Sequence, residues 1–302
     1  MNGKELLTLF PKAVIEKSCN ERLEMLAQCN NEEEFLQTLL ELAKDTKVIW
    51  IYGFPRTGST WLCKKFFPEF TKEIFNESFE LFQCNSVSST PQRMYVGTEL
   101  ERDWMEIHKR LSINRIVADR LILAVCKQVV FKMLYDFYLV PQLLELFPMS
   151  RFIWLTRDGR DSVASCAKPD LNHWPRAPFP WLGENDDERF HQAHIRWLKC
   201  TTHQIETQHN HPNNILRVKY EDFIVDFKKA SKKVLAFSGF EYSDDVINDL
   251  SENFKPRHAM WKEWEDWKKQ CFLDNGGEKA NKMLGYSDKN NNAKFSWEEM
   301  TH

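Results

Sequence analysis

The chain has 302 residues, 42% of them apolar and 28% charged, a balance that excludes a disordered chain, a collagen-like chain and a disulfide miniprotein. Forty-one Lys and Arg against 44 Asp and Glu give a net charge of −3, which argues against a general nucleic-acid partner and leaves room for local anion sites. At this length folding buries about three quarters of the surface the unfolded chain exposes, so the core needs no staple.

Residues 1–46 are rich in Leu and Glu and read as a helical N-terminal extension. No signal peptide and no run of about 18 apolar residues is visible, which gives a cytoplasmic expectation with no membrane partner. Eight cysteines form no Cys-x-x-Cys pair, so a zinc ribbon is not expected and the thiols are read as reduced, buried hydrophobes.

The run Lys47-Val48-Ile49-Trp50-Ile51-Tyr52-Gly53 is apolar almost throughout, as a strand covered on both faces should be. A helix is predicted over 58–68. Further strand runs are Val129–Leu134, Arg151–Thr156 and Ile215–Val218, separated by helical stretches such as 99–127, 138–147 and 186–209. Strands alternating with helices imply a parallel α/β sheet. Asp158 and Asp161 suit the start of a helix after the third run. The stretch from Lys168 to Glu188 carries Pro169, Pro175, Pro178 and Pro180 and reads as a long loop over one end of the sheet.

The first strand runs into Gly53-Phe54-Pro55-Arg56-Thr57-Gly58-Ser59-Thr60-Trp61. Strand, small-residue loop and helix form the geometry that cradles phosphate on backbone N–H groups, with Ser59 and Thr60 adding hydroxyl donors. Gly53 and Gly58 match the Walker A spacing, but Ser59 stands at the lysine position and the basic residue is Arg56. Loss of that lysine argues against ordinary ATP or GTP hydrolysis. A single displaced cation suits a donor with one phosphate and a small anionic group beyond it.

Pro55-Arg56-Thr57-Gly58-Ser59-Thr60-Trp61 resembles the 5′-phosphosulfate loop of sulfotransferases, which use 3′-phosphoadenosine 5′-phosphosulfate. The resemblance implies that Arg56 and Thr57 contact the sulfuryl end, that Gly58, Ser59 and Thr60 hold the 5′-phosphate, and that Trp61 lies against the adenine. It also implies a 3′-phosphate site from an Arg at a strand end and a Ser eight residues later, a spacing that Arg157 and Ser165 have. An arginine brings a bidentate phosphate fork, and a serine adds a neutral donor. Leu216-Arg217-Val218-Lys219-Tyr220-Glu221-Asp222-Phe223 is similar to the family strand whose Tyr lies near the adenine, which assigns Tyr220. The tail from Trp261 to Tyr286, ending Met283-Leu284-Gly285-Tyr286, resembles Golgi and bacterial members. It lacks the basic Gly-x-x-Gly segment of cytosolic phenol and steroid sulfotransferases.

The expected fold is therefore α/β, a P-loop-type three-layer arrangement with a central parallel sheet flanked by helices. A single domain is expected over 1–302, with a core at 47–286 and an acceptor loop at 168–188.

Sulfuryl transfer needs a base for the acceptor's proton, cations for the developing charge and in-line positioning. Cytosolic sulfotransferases carry Lys-Thr-His after the second strand, and here that place reads Lys132-Met133-Leu134. Lys132 fits as the electrophile beside Arg56, while Leu134 replaces the base. Resemblance to carbohydrate and tyrosylprotein sulfotransferases, which place a glutamate at the matching distance past the loop, makes Glu77 the expected base, with Glu80 the alternative. A carboxylate in a partly dry aromatic pocket has the raised pKa a base needs. His191 and His194 share a helical face, but no third ligand has a matching spacing, so no metal is expected.

His173, Trp174 and Trp181 are the expected acceptor-binding residues, close in sequence to Phe179 and to Glu184, Asp186, Asp187 and Glu188. Aromatic rings beside carboxylates suit a cation. The acceptor expectation is a hydroxyl or amine of a small molecule, extending to a guanidinium- or amine-bearing natural product. The competing readings are a P-loop kinase or nucleotide hydrolase, and a non-catalytic protein that binds adenosine bisphosphate.

Overall fold

The computed structural model describes residues 1–76, 104, 107, 111, 114–133, 136–167, 185–256 and 260–286. Four helices open the chain: α1 (Gly3–Leu7), α2 (Lys12–Ile15), α3 (Asn20–Ala27) and α4 (Glu32–Lys44). Asn2 and Asn31 cap α1 and α4 by accepting N–H bonds from Glu5 and Glu34. Then follow β1 (Lys47–Tyr52), α5 (Ser59–Trp61, continuing as a π-turn over Leu62–Phe66), β2 (Ile74–Asn76), α6 (Arg115–Arg120) and β3 (Gln128–Lys132). After these come α7 (Val140–Leu146), β4 (Arg151–Thr156), α8 (Gly159–Cys166), α9 (Asp186–Asn210) and β5 (Ile215–Lys219). The described chain closes with α10 (Tyr220–Val225), α11 (Phe227–Ser238), α12 (Asp244–Glu252), α13 (Asp266–Asp274) and α14 (Gly277–Met283).

The five strands form one parallel sheet in the order β2-β3-β1-β4-β5. β1 is central, in register with β3 through Ile51↔Lys132 and with β4 through Tyr52↔Trp154. The four strands expected from apolar runs are present within two residues of their expected ends. β2 is the addition: three residues are too few to show a period.

Alternation along the strands sends side chains to two cores. Val48, Trp50, Tyr52, Phe131, Phe152 and Trp154 pack on one face with the N-terminal helices, where Phe35 and Leu39 are fully buried. Ile49, Ile51, Val130, Ile153 and Leu155 pack on the other face against Leu62, Cys63 and Phe66 and against Val234 and Leu235 of α11. Helices on both faces explain why β1, β3 and β4 read as nearly unbroken apolar runs, while β5 at the edge is interrupted by Arg217. The resulting architecture is the expected three-layer, P-loop-type α/β fold. Among the described residues, no helix is long and apolar enough to cross a membrane.

Arg22 ties the N-terminal helices to the sheet. Its Nη1 donates to Thr46 Oγ1 at 2.6 Å, to Ala124 O at 2.7 Å and to Cys126 O at 2.8 Å. Leu39→Ala in this layer should cost about 2–5 kcal/mol of unfolding free energy, measured by urea denaturation. A cost below about 1 kcal/mol would mean that this layer is not packed as described.

His194 of α9 stacks on Phe272 with ring centroids 4.9 Å apart and is 1% exposed. Burial, with help from the nearby His191, pulls its pKa down from 6.5 to about 4. As pH falls from about 6.5 toward 4, the unfolded chain takes up a proton that the folded chain refuses, so this residue lowers stability across that window. At pH 5 the loss is about 2 kcal/mol. Replacing the imidazole by an apolar ring, His194→Phe, should shrink the fall in unfolding free energy between pH 7 and pH 5 by that amount. An unchanged fall would show that His194 protonates freely when folded.

Candidate active site

The loop after β1 is shaped by two glycines. A Cβ on Gly53 would lie 2.3 Å from the carbonyl oxygen of Leu155, so β1 and the end of β4 approach more closely than any side chain permits. Gly58 has φ 97°, a left-handed conformation that glycine adopts without penalty, and a Cβ there would meet the Tyr220 ring at 2.9 Å. Arg56 also lies in the left-handed region, at φ 72°. A non-glycine residue holds that conformation only when its surroundings enforce it, and such residues concentrate at functional sites.

Arg56 is held from two directions. Its Nε donates to Ser165 Oγ at 3.0 Å, and its carbonyl oxygen accepts from Arg157 Nη1 at 3.0 Å. Arg157 is buried; its guanidinium lies 5.0 Å from the centre of the Tyr220 ring and 3.5 Å from Asp161 Oδ2. Arg56, Gly58, Arg157, Ser165 and Tyr220, drawn from three separate sequence motifs, thus form one connected cluster. Thr57 joins it: its Oγ1 is buried with no hydrogen-bond partner and lies within 3.0 Å of where a Gly53 Cβ would sit. A buried hydroxyl at a phosphate-type loop is a donor suited to an anion. Ser59 is buried at the start of α5, and Thr60 beside it is exposed.

Two of the strand–turn–helix units at this end of the sheet differ in one respect. The helix begun by α5 carries no side-chain cap and no acidic residue in its first turn, so its N–H groups suit an anion. The start of α8 is closed. Asp158 N–H donates to Glu221 Oε1 at 3.1 Å, Gly159 N–H to Asn281 Oδ1 at 2.8 Å, and Arg160 N–H to Asp158 Oδ1 at 2.9 Å. An anion near α8 therefore depends on side chains, above all Arg157 and Ser165.

Lys132 ends β3 opposite Ile51 and Asn76 and is 1% exposed. Its parity with Val130 puts it on the sheet face that carries α5. Glu77 follows Asn76 in sequence but lies outside the described residues, as do Glu80, Leu134 and the expected acceptor residues His173, Trp174 and Trp181. Trp61 is half-buried in an aromatic cluster, 4.7 Å from Phe254 and 5.6 Å from Phe223 between ring centres. At the start of α9, Asn185 caps the helix by accepting from Glu188 N–H, and Asp186 pairs with Lys268 and with Arg189.

A buried polar cluster under the second loop escaped the sequence reading. Tyr286 Oη donates to Glu221 Oε2 at 2.8 Å and lies 3.3 Å from Thr156 Oγ1. Asn281 Nδ2 donates to Asp158 Oδ1 at 2.9 Å, and Arg160 grips Asp158 through Nη2 at 2.7 Å. Burial pushes the Glu221 carboxyl above the ordinary range, partly offset by the bonds from Tyr286 and Asp158. Burial and Glu221 together hold the Tyr286 hydroxyl protonated. Burial also pushes the Cys166 thiol, which donates to Pro55 O at 3.7 Å, up to about 12 despite Arg56 and Arg157, so it stays neutral. Tyr-Glu-Asp and the Leu-Gly-Tyr tail were visible in the sequence, but Asn281 carries no pattern that would announce it.

No curated protein sequence matches the chain. Among solved structures, a mouse sulfotransferase complexed with PAP is 15% identical, with a TM-score of 0.49 over 83% of this chain and 90% of its own. A Mycobacterium tuberculosis sulfotransferase is 12% identical, with a TM-score of 0.49 over 90% and 92%. One from Alicyclobacillus acidocaldarius is 13% identical, with a TM-score of 0.44 over 79% and 96%. Residues 68–244, more than half of the chain, match the model of the sulfotransferase family, and the chain belongs to that family.

Proposed function

We propose that the protein transfers a sulfuryl group from 3′-phosphoadenosine 5′-phosphosulfate to a hydroxyl or amine of a small molecule. The observation that carries this reading is the single cluster joining Arg56, Gly58, Arg157, Ser165 and Tyr220. It combines an uncapped helix start, which suits one phosphate, with a buried arginine beside a second, capped helix, which suits another. The residues fit the donor on an independent ground, the buried unpartnered hydroxyl of Thr57.

When bound, the donor supplies the sulfuryl group, which the acceptor's oxygen or nitrogen takes as 3′,5′-adenosine bisphosphate leaves. Thr57 joins Arg56 at the sulfuryl end, Gly58, Ser59 and Thr60 hold the 5′-phosphate, and Arg157 and Ser165 hold the 3′-phosphate. Trp61 and Tyr220 bind the adenine. Arg56, exposed on the loop, and Lys132, buried at the end of β3, stabilise negative charge on the leaving oxygen, the buried cation acting the more strongly. Glu77 takes the acceptor's proton. It is the next residue after Asn76, the strand partner of Lys132, which supports pairing base with electrophile. His173, Trp174 and Trp181 bind the acceptor, and the aromatic and acidic content of 170–188 favours one bearing an amine or guanidinium.

In a thermal-shift assay 3′,5′-adenosine bisphosphate should stabilise the protein without metal, by about 2.7 kcal/mol at 100-fold excess over Kd. Stabilisation by ATP with Mg²⁺ alone would instead favour phosphoryl transfer. Arg157→Ala should weaken bisphosphate binding tenfold or more, as loss of a charge-assisted hydrogen bond does, and leave adenosine 5′-monophosphate binding in place. Equal binding of the bisphosphate by wild type and variant would overturn the 3′-phosphate assignment. Glu77→Gln should lower turnover at least 100-fold and spare bisphosphate binding, read by product formation and by calorimetry. Retained turnover would move the base elsewhere.

A further inference from the structure

Residues 156 to 159 form the turn that carries Arg157, and each is gripped from outside. Thr156 Oγ1 lies 3.3 Å from Tyr286 Oη. The Asp158 N–H belongs to the peptide unit that leaves Arg157, and it donates to Glu221 Oε1 at 3.1 Å. Because the peptide unit is planar, this bond fixes the backbone angle of Arg157 itself. Gly159 N–H donates to Asn281 Oδ1, and Asn281 Nδ2 donates to the Asp158 carboxylate. Only one amide orientation satisfies both bonds, so Asn281 cannot flip without losing two.

Glu221 is the hub of this arrangement. One carboxylate oxygen holds the Arg157–Asp158 peptide and the other accepts from Tyr286. Glu221 also follows Tyr220, the ring over which the Arg157 guanidinium lies. Backbone and stacking wall of Arg157 are therefore tied to one side chain, which the tail pins in place. The tail itself is fastened by Lys219 Nζ donating to Gly285 O at 2.7 Å and Arg217 Nη1 donating to Met283 O at 3.3 Å.

We propose that Glu221, Asn281 and Tyr286 are positioning residues that aim Arg157 at the donor's 3′-phosphate, making segment 277–286 a working part of the donor site. This rests on the reading that Arg157 takes the 3′-phosphate. The tail contributes by holding the turn that presents the arginine. Its effect falls first on the 3′-phosphate, because Glu221, Asn281 and Tyr286 touch the Arg157 turn directly and reach the loop after β1 only through Arg157 on the Arg56 carbonyl and Tyr220 against Gly58.

The test is the ratio of dissociation constants for adenosine 5′-monophosphate and 3′,5′-adenosine bisphosphate, measured by calorimetry. This ratio isolates the 3′-phosphate. Tyr286→Phe should lower it about fivefold, as loss of the hydrogen bond to Glu221 does, and Asn281→Ala, which loses two bonds, by at least as much, each leaving monophosphate affinity within about twofold. Glu221→Ala should lower it further. Glu221→Gln should retain most of it, since the amide oxygen still accepts from Asp158 N–H and its nitrogen can donate to the Tyr286 oxygen. An unchanged ratio in Tyr286→Phe and Asn281→Ala, with Arg157→Ala lowering it, overturns the positioning role and spares the 3′-phosphate reading. Equal weakening of both nucleotides also overturns it, by revealing general loosening of the fold. A ratio unmoved by Arg157→Ala overturns both readings together.

Discussion

The pairing of β1 with β4, in register from Ile49↔Arg151 to Tyr52↔Trp154, brings loops far apart in sequence to one edge of the sheet. From β1 the chain goes on to strands on one side, and from β4 it goes on to β5 on the other. That reversal is the switch point at which open α/β sheets form their ligand crevices. Gly53 permits the approach, since a Cβ there would collide with Leu155 O, a backbone atom with little room to move. The bonds from Arg56 to Ser165 and from Arg157 to Arg56 O, which span 109 and 101 residues of sequence, depend on that pairing.

The two loops that meet there share a strand–turn–helix plan and treat their helix ends in opposite ways. α5 leaves its first-turn N–H groups without a side-chain cap, whereas three successive N–H groups at the start of α8 are taken by Glu221, Asn281 and Asp158. An uncapped helix start binds an anion through its backbone, which tolerates small shifts because several donors converge. A capped start leaves the task to a long side chain. Arginine has many rotamers, so its direction must be imposed by neighbours. Asp161, the Arg56 carbonyl and the Tyr220 ring impose it here.

The sequence made β1, β3 and β4 legible because a strand buried on both faces shows an unbroken apolar run, and β5, an edge strand interrupted by Arg217, legible from its shorter Ile-Leu-Arg-Val run. It concealed β2, whose three residues have no period of their own. Arg56 and Arg157 were legible because each follows such a run at its end, where a charge needs a reason. The links between them were not: nothing in Asn281 or Tyr286 tells which peptide each will hold, since contacts more than a hundred residues apart are set by topology. The 11 tryptophans divide along the same line. Trp50 and Trp154 are strand residues of the core, as their sequence runs suggest. Trp197 and Trp261 brace the second loop, one against Gly159, where a Cβ would fall 2.1 Å from its ring, and one 3.9 Å from the Arg160 guanidinium.

The charge distribution bears on how a chain of net charge −3 would present the proposed anion site. Within Arg157-Asp158-Gly159-Arg160-Asp161, Arg160 pairs with Asp158 at 2.7 Å and Arg157 with Asp161 at 3.5 Å, so the turn is close to neutral as a whole. These pairs therefore add little attraction over long range, which physiological salt screens further. Selectivity must then come from short-range fit, in which a phosphate offers Arg157 better geometry than Asp161 does. The two contacts are unequal in the right sense. The Arg160–Asp158 pair is short and also holds the cap of α8, which makes it structural, while the Arg157–Asp161 contact, at 3.5 Å, is the looser of the two. Burial sharpens the difference, because a buried arginine gains more from a well-placed phosphate than an exposed one would.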